Sequence, residues 1–62
     1  MKVTVRYKGR NRVVTFRKGE RVRFWGRQLR FGRIVSFATL WAYIRNDGEI
    51  WQVPYQAIKK VV

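Results

Sequence analysis

Few side chains in this 62-residue sequence could take part in catalysis. His and Cys are both absent, so the most common general base and the thiol nucleophile are missing. Of the three carboxylates, Glu20 lies in an expected turn, and Asp47 and Glu49 lie at a second one. Asp47 and Glu49 could act as an acid–base pair or bind Mg²⁺, but turn chemistry and a pairing of Glu49 with Arg45 explain them more simply. We therefore expect a protein that is not an enzyme and that uses no metal or other cofactor.

Positive charge is the strongest signal in the sequence. Fifteen Lys and Arg residues stand against three acidic residues, which gives a net charge of +12. Residues 1–33 carry twelve basic residues and one acidic residue (+11), whereas residues 34–62 carry three and two (+1). A folded chain with this much self-repulsion usually has a polyanionic partner, and nucleic acid is the commonest one. Generic solubility charge, or adaptation to a hot or crowded cell interior, is the alternative.

Basic residues alternate with aromatic residues in two segments. In residues 21–25, Val22 and Phe24 are the better core candidates, so the residues between them should be exposed. In a hairpin expected within residues 40–55, the aliphatic face should point inward and the aromatic face outward. Exposed rings beside Arg are typical of sheets that bind nucleic acid, because rings stack on bases or wedge into the minor groove while Arg holds phosphates. The candidate binding residues are Arg21, Arg23, Trp25, Arg27, Arg30, Arg33, Trp41, Tyr43, Arg45 and Trp51.

The opposite assignment of some of these residues stays open. In so small a protein at least one of the three Trp residues should belong to the core, together with Phe16, Phe24, Phe31 and Phe37. Basic side chains at the loop of residues 26–30 and at the first hairpin turn (Lys8, Arg10, Arg12) could reach phosphates or simply remain solvated.

Short alternating segments bounded by glycine predict an all-β protein. No stretch of ten residues has a helical period, and one 3₁₀ turn is expected at residues 55–57. Asn46-Asp47-Gly48 predicts a three-residue hairpin loop, with Ile44 facing Ile50 and Tyr43 facing Trp51. Gly32, inside a strand, indicates a bend or a close backbone approach. The predicted strands are residues 2–7, 12–17, 21–25 and 31–37, the two arms of the hairpin within 40–55, and 58–62.

At this length the expected fold is a small barrel of five to six short antiparallel strands. It would form a single domain over residues 1–62, with an N-terminal hairpin at 1–17 and the barrel strands at 19–62. The initial Met favours an autonomous protein. No apolar run approaches the roughly 20 residues of a membrane span, so we expect no membrane partner. The absence of Cys fits an intracellular location, cytoplasm or nucleoid.

The order of elements in residues 19–62 resembles an SH3-like barrel. The stretches GERVRFW, FGRIVSF, LWAYIRND and EIWQVPYQAIKKVV follow that pattern, and the ending resembles the retroviral integrase C-terminal domain, where a Val-Pro step closes a hairpin before a basic last strand. The opening VTVRYKGRNRVVTF is similar in layout to the N-terminal hairpin of small crenarchaeal chromatin proteins. Both families bind duplex DNA, so the resemblance implies DNA before RNA.

The sequence thus favours a duplex-DNA-binding protein with little sequence preference and an architectural role. No recognition helix is present to carry a major-groove code. The alternatives are an RNA-binding barrel of the ribosome-associated kind and an SH3-like interaction module for an acidic protein partner. The near absence of acidic residues disfavours the last of these, since signalling SH3 grooves use acidic residues against basic ligands.

Overall fold

The structure is a computed structural model that describes residues 1–61. These residues form seven strands and one 3₁₀ turn, and within them no helix is long and apolar enough to cross a membrane. The elements are β1 (Lys2–Tyr7), β2 (Arg10–Thr15), β3 (Arg21–Trp25), β4 (Leu29–Phe37), β5 (Trp41–Asn46), β6 (Glu49–Pro54), the 3₁₀ turn (Tyr55–Ala57) and β7 (Lys59–Lys60).

The strands form two antiparallel sheets. One is the N-terminal hairpin β1–β2, and the other has five strands in the order β6-β5-β4-β3-β7. The predicted all-β fold, N-terminal hairpin and 3₁₀ turn are confirmed. In the described residues the five-stranded sheet is open, with β6 and β7 as its edges. The predicted barrel does not close, because within residues 1–61 β7 pairs only with β3 and makes no ladder with β6.

The core lies between one face of the five-stranded sheet and the N-terminal hairpin. We call this sheet face the inner face and the opposite one the outer face. Val3, Val5 and Val14 of the hairpin pack against the core cluster. Tyr55 donates a hydrogen bond to the Ala38 carbonyl, and burial raises the pKa of its phenol although that hydrogen bond opposes the shift. The buried apolar residues are Phe16, Val22, Phe24, Ile34, Ala42, Ile44, Val53, Tyr55 and Ile58.

The predicted register of the central hairpin is wrong by one residue. Asn46 pairs with Glu49, so the loop has two residues, Asp47 and Gly48, both with positive φ (50° and 78°) as a type I′ turn requires. Asn46 joins the ladder because its side chain is buried and hydrogen-bonded at both ends, accepting from Arg30 (3.1 Å) and donating to the Phe31 carbonyl (2.8 Å).

This shift exchanges the two faces of β6. Ile44 faces Trp51 and Arg45 faces Ile50, so Trp51 lies on the inner face and Ile50 is exposed on the outer face. The expected pairing of Arg45 with Glu49 does not form, and Leu40, expected inside, is exposed just before β5.

Three other boundaries differ from the expectations. The first hairpin also has a two-residue turn, Lys8-Gly9, so β2 begins at Arg10. Strand β4 begins at Leu29, which shortens the expected loop. Phe31, expected in the core, lies on the outer face because it pairs with Arg23. The last strand covers 59–60 of the predicted 58–62, and residue 62 lies outside the described residues.

The expected close approach at Gly32 is confirmed. A Cβ at this position would lie 2.7 Å from the Ile44 side chain and closer still to the Arg45 carbonyl oxygen, so glycine lets β4 and β5 meet. Because Gly32 occupies the inner face opposite Val22, its neighbours Phe31 and Arg33 point outward.

Candidate nucleic-acid interface

The outer face of the five-stranded sheet gathers most of the predicted binding residues. Alternation along β3 places Arg21, Arg23 and Trp25 on this face, as predicted, while Val22 and Phe24 are fully buried behind them. The ladders then add residues opposite these three and, through β4, residues of β5 and β6 that share their face. The exposed members include Arg21, Arg23, Trp25, Leu29, Phe31, Arg33, Arg45, Ile50, Gln52 and Lys59.

Three arginines form a straight row across the sheet. Arg21 in β3 faces Arg33 in β4, and Arg33 faces Arg45 in β5. With about 4.8 Å between neighbouring strands, the row spans about 10 Å from Cα to Cα. Like charges directly opposite each other destabilise a sheet. The Arg33 guanidinium donates a hydrogen bond to the Gly19 carbonyl (3.0 Å), which holds the centre of the row in place.

None of the three side-chain carboxylates neutralises this row. Glu20 forms an ion pair with Lys60 (3.1 Å) and accepts a hydrogen bond from the Arg17 backbone N–H (3.0 Å). Burial raises the pKa of Glu20, but the hydrogen bond and the ion pair outweigh it, and the net pKa lies below its usual range. Asp47 lies in the β5–β6 turn. Glu49 pairs with Asn46, on the inner face and therefore on the opposite side of the sheet from the row.

Apolar side chains lie beside the row. Trp25 is 74% exposed and Phe31 is 47% exposed, unusually high values for aromatic residues in strands. Phe31 faces Arg23 across the β3–β4 ladder, and Trp25 faces Leu29. The outer face therefore carries guanidinium groups and exposed rings side by side.

Arg30 and Trp51, two of the predicted binding residues, have structural roles instead. Arg30 lies on the inner face, where it donates to the Gly26 carbonyl (2.8 Å) and to Asn46, and its guanidinium stacks 4.5 Å from the Trp51 ring centroid. Trp51 also packs against Phe24 at 5.7 Å. The prediction for Trp51 depended on a three-residue hairpin loop, and a one-residue change moves a side chain to the opposite face of a sheet. The prediction for Arg30 depended on a loop at residues 26–30, where β4 in fact begins at Leu29.

The remaining predicted residues lie on or beside the outer face. Trp41 and Tyr43 share the face of Arg45 but are half-buried, and the Trp41 indole N–H is buried without a hydrogen-bond acceptor in residues 1–61. Arg27 is exposed in the β3–β4 turn, where its φ of 66° is in the left-handed region.

Sequence reasoning missed several members of the outer face, among them Leu29, Phe31, Ile50 and Lys59. The signal for the first two was the alternation that continues backward from Arg33 through residues 31 and 29. Predicting the position of Ile50 required the correct register of the β5–β6 hairpin. Lys59 required knowledge that β7 pairs with β3, a long-range contact that no local pattern encodes.

Within residues 1–61 no group of three His, Cys, Asp or Glu side chains is placed to hold a metal ion. No protein family model, curated protein or solved structure significantly matches this chain. Any functional assignment therefore depends on the geometry and charge of the outer face.

Proposed function

We propose that the protein binds duplex DNA, with little sequence preference, through the outer face of its five-stranded sheet. The observation that carries this proposal is the row of Arg21, Arg33 and Arg45. Three cations placed opposite one another without a carboxylate cost stability in the free protein, and a polyanion removes that cost.

The chemistry of the face suits the nucleic-acid backbone. A guanidinium presents a planar fork of donors that matches a phosphate, and such contacts give affinity without reading the base sequence. The exposed Trp25 and Phe31 rings supply apolar surface that can stack on bases or wedge between base steps in a widened minor groove. Duplex DNA is our first choice because the SH3-like resemblance noted above implies it.

RNA or single-stranded nucleic acid is the second candidate, and the exposure of Trp25 favours it. An aromatic ring standing free on a sheet is the arrangement with which RNA-binding sheets stack unpaired bases. Duplex DNA, double-stranded RNA and single-stranded DNA of one sequence should therefore be compared directly.

The test is a titration followed by Trp fluorescence with a duplex of about 20 base pairs, between about 50 and 200 mM salt. The double variant R21Q/R45Q should reduce the magnitude of the slope of log K against log salt by about 1.8, since each lost phosphate contact removes about 0.9. The matched control R17Q/K18Q removes the same charge from the β2–β3 turn and should change the slope much less.

Tight salt-dependent binding with a preference for the duplex supports the proposal. A preference for unpaired strands supports the second candidate. If none of the three nucleic acids binds at about 50 mM salt, the proposal is wrong and an acidic protein partner becomes the better explanation of the charge.

A further inference from the structure

We propose that the tip of the N-terminal hairpin is a second contact with the same duplex, a phosphate site formed by Lys8, Arg12 and Lys59 around the Tyr7 ring. This inference rests on the proposed function, since it assumes a nucleic acid already bound to the outer face.

Three cations from three elements surround one aromatic ring. The ammonium of Lys8 lies 5.4 Å from the Tyr7 ring centroid, the guanidinium carbon of Arg12 lies 5.5 Å from it, and the ammonium of Lys59 lies 5.8 Å from it. These distances are within the roughly 6 Å at which a ring face attracts a cation. Tyr7 is 45% exposed, so the cluster is open to solvent and to a ligand.

No carboxylate in residues 1–61 balances this cluster. Glu20 is paired with Lys60, and the other two acidic side chains lie in the β5–β6 hairpin. The quadrupole of a neutral ring compensates three positive charges only partly. The site therefore has the charge and the donors to bind an anion, and phosphate groups match it.

At the hairpin tip a lysine occupies a backbone conformation that is sterically unfavourable for it. Lys8 has a φ of 50° in the turn to Gly9. This type I′ position favours Asn, Asp or Gly, and a lysine there bears the steric cost of a Cβ in the left-handed region. The residue at this turn position is therefore one that adds charge and is less suited to the backbone conformation.

Lys59 joins this cluster to the outer face. Its Cα lies opposite Arg23 in the β3–β7 ladder, and it lines one groove together with Trp25 and Leu29. It also lines the cavity between the hairpin and β7, together with Tyr7 and Arg12. A nucleic-acid backbone that follows positive charge across β3 and past the β7 edge of the outer face therefore reaches the hairpin tip next.

The test compares salt slopes for duplex binding in the variant K8N/R12Q and the control R17Q/K18Q. Asn-Gly is a preferred type I′ sequence, so K8N should not impair folding. If Lys8 and Arg12 each hold a phosphate, K8N/R12Q lowers the slope by about 1.8, or about 12-fold less loss of affinity between 50 and 200 mM salt. The control variant should retain most of the wild-type slope.

Measuring R21Q/R45Q in parallel separates this inference from the proposed function. If only R21Q/R45Q lowers the slope, the outer face binds DNA and the tip site is wrong. If K8N/R12Q and R17Q/K18Q lower it equally, the tip contributes only generic charge and the inference is also overturned. If only K8N/R12Q lowers it, the tip is a phosphate site, but the outer-face proposal fails and the tip is not a second contact.

Discussion

Replacing Arg45 by Gln should stabilise the free protein and weaken its binding to duplex DNA. Arg45 is exposed, faces Arg33 on one side and Ile50 on the other, and ends the row of three arginines. The substitution removes one positive charge and keeps most of the side-chain stem. A rise in the stability of the free protein together with a fall in its affinity for DNA is what we expect of a charge that contacts a partner.

The size of each effect follows from this geometry. Removing a like-charge pair across a ladder should increase the free energy of unfolding by about 0.2–1 kcal/mol. For a domain of this size that corresponds to a rise in Tm of about 1–8 °C. Loss of one phosphate contact reduces the magnitude of the salt slope by about 0.9. If the affinity extrapolated to about 1 M salt is unchanged, the affinity at about 0.1 M salt then falls about 8-fold.

Thermal unfolding at low salt and the fluorescence titration provide the two measurements. Arg45→Lys keeps the charge and should retain both the salt slope and the repulsion. Lys18→Gln removes a charge from an exposed turn and should change neither quantity much. If Arg45→Gln leaves the salt slope unchanged, or Lys18→Gln lowers it equally, the arginine row is not a phosphate site. A lower Tm in Arg45→Gln would refute the argument from repulsion.

Three further predictions concern an aromatic ring, a glycine and a carboxylate. Trp25→Phe should abolish most of the fluorescence change on DNA binding, and a change that persists would mean that another Trp reports it. Gly32→Ala should lower the free energy of unfolding in urea by about 1–3 kcal/mol, because its Cβ would collide with the Arg45 carbonyl and that backbone cannot easily move. The stability that the Glu20–Lys60 pair provides should be complete above pH 4.5 and be lost as the pH falls through the lowered pKa of Glu20. Unfolding curves between about pH 3 and 6 should therefore be less pH-dependent in Glu20→Gln, and an unchanged dependence would show that other groups cause it.

The sequence predicted the all-β class and the outward position of Arg21, Arg23 and Trp25. These succeeded because period-two alternation is local: fully buried Val22 and Phe24 fix the face of their neighbours. The predicted length of the hairpin loop was wrong because Asn is favoured in turns and depleted in strands, so local preference put Asn46 in the loop. What decided it was the buried hydrogen bonds from Asn46 to β4, a contact across 15 or 16 residues of chain.

The length of that loop misplaced Trp51, which changed faces with the register. Arg30 was misplaced for a separate reason, because residues 26–30 were interpreted as a loop although β4 begins at Leu29, and its guanidinium contacts the Trp51 ring and Asn46 on the inner face. Local patterns place a side chain relative to its neighbours in sequence, but they do not count the residues in a turn. For a surface assembled from several strands, a single loop length therefore decides which rings are available to a ligand.

Arg30 is an example of a basic residue with a structural role in this protein. Its guanidinium has two hydrogen-bond acceptors and an aromatic ring within contact, so its position is fully explained inside the protein. Arg45 has the opposite setting, facing another cation, while Lys8 and Arg27 occupy left-handed backbone positions where glycine or asparagine would cost less. Arg45 and the cluster around Lys8 have no carboxylate partner in residues 1–61, where the ion pair of Glu20 is with Lys60, so stability alone would not favour these charges. The polyanion proposed above would give a single physical reason for both.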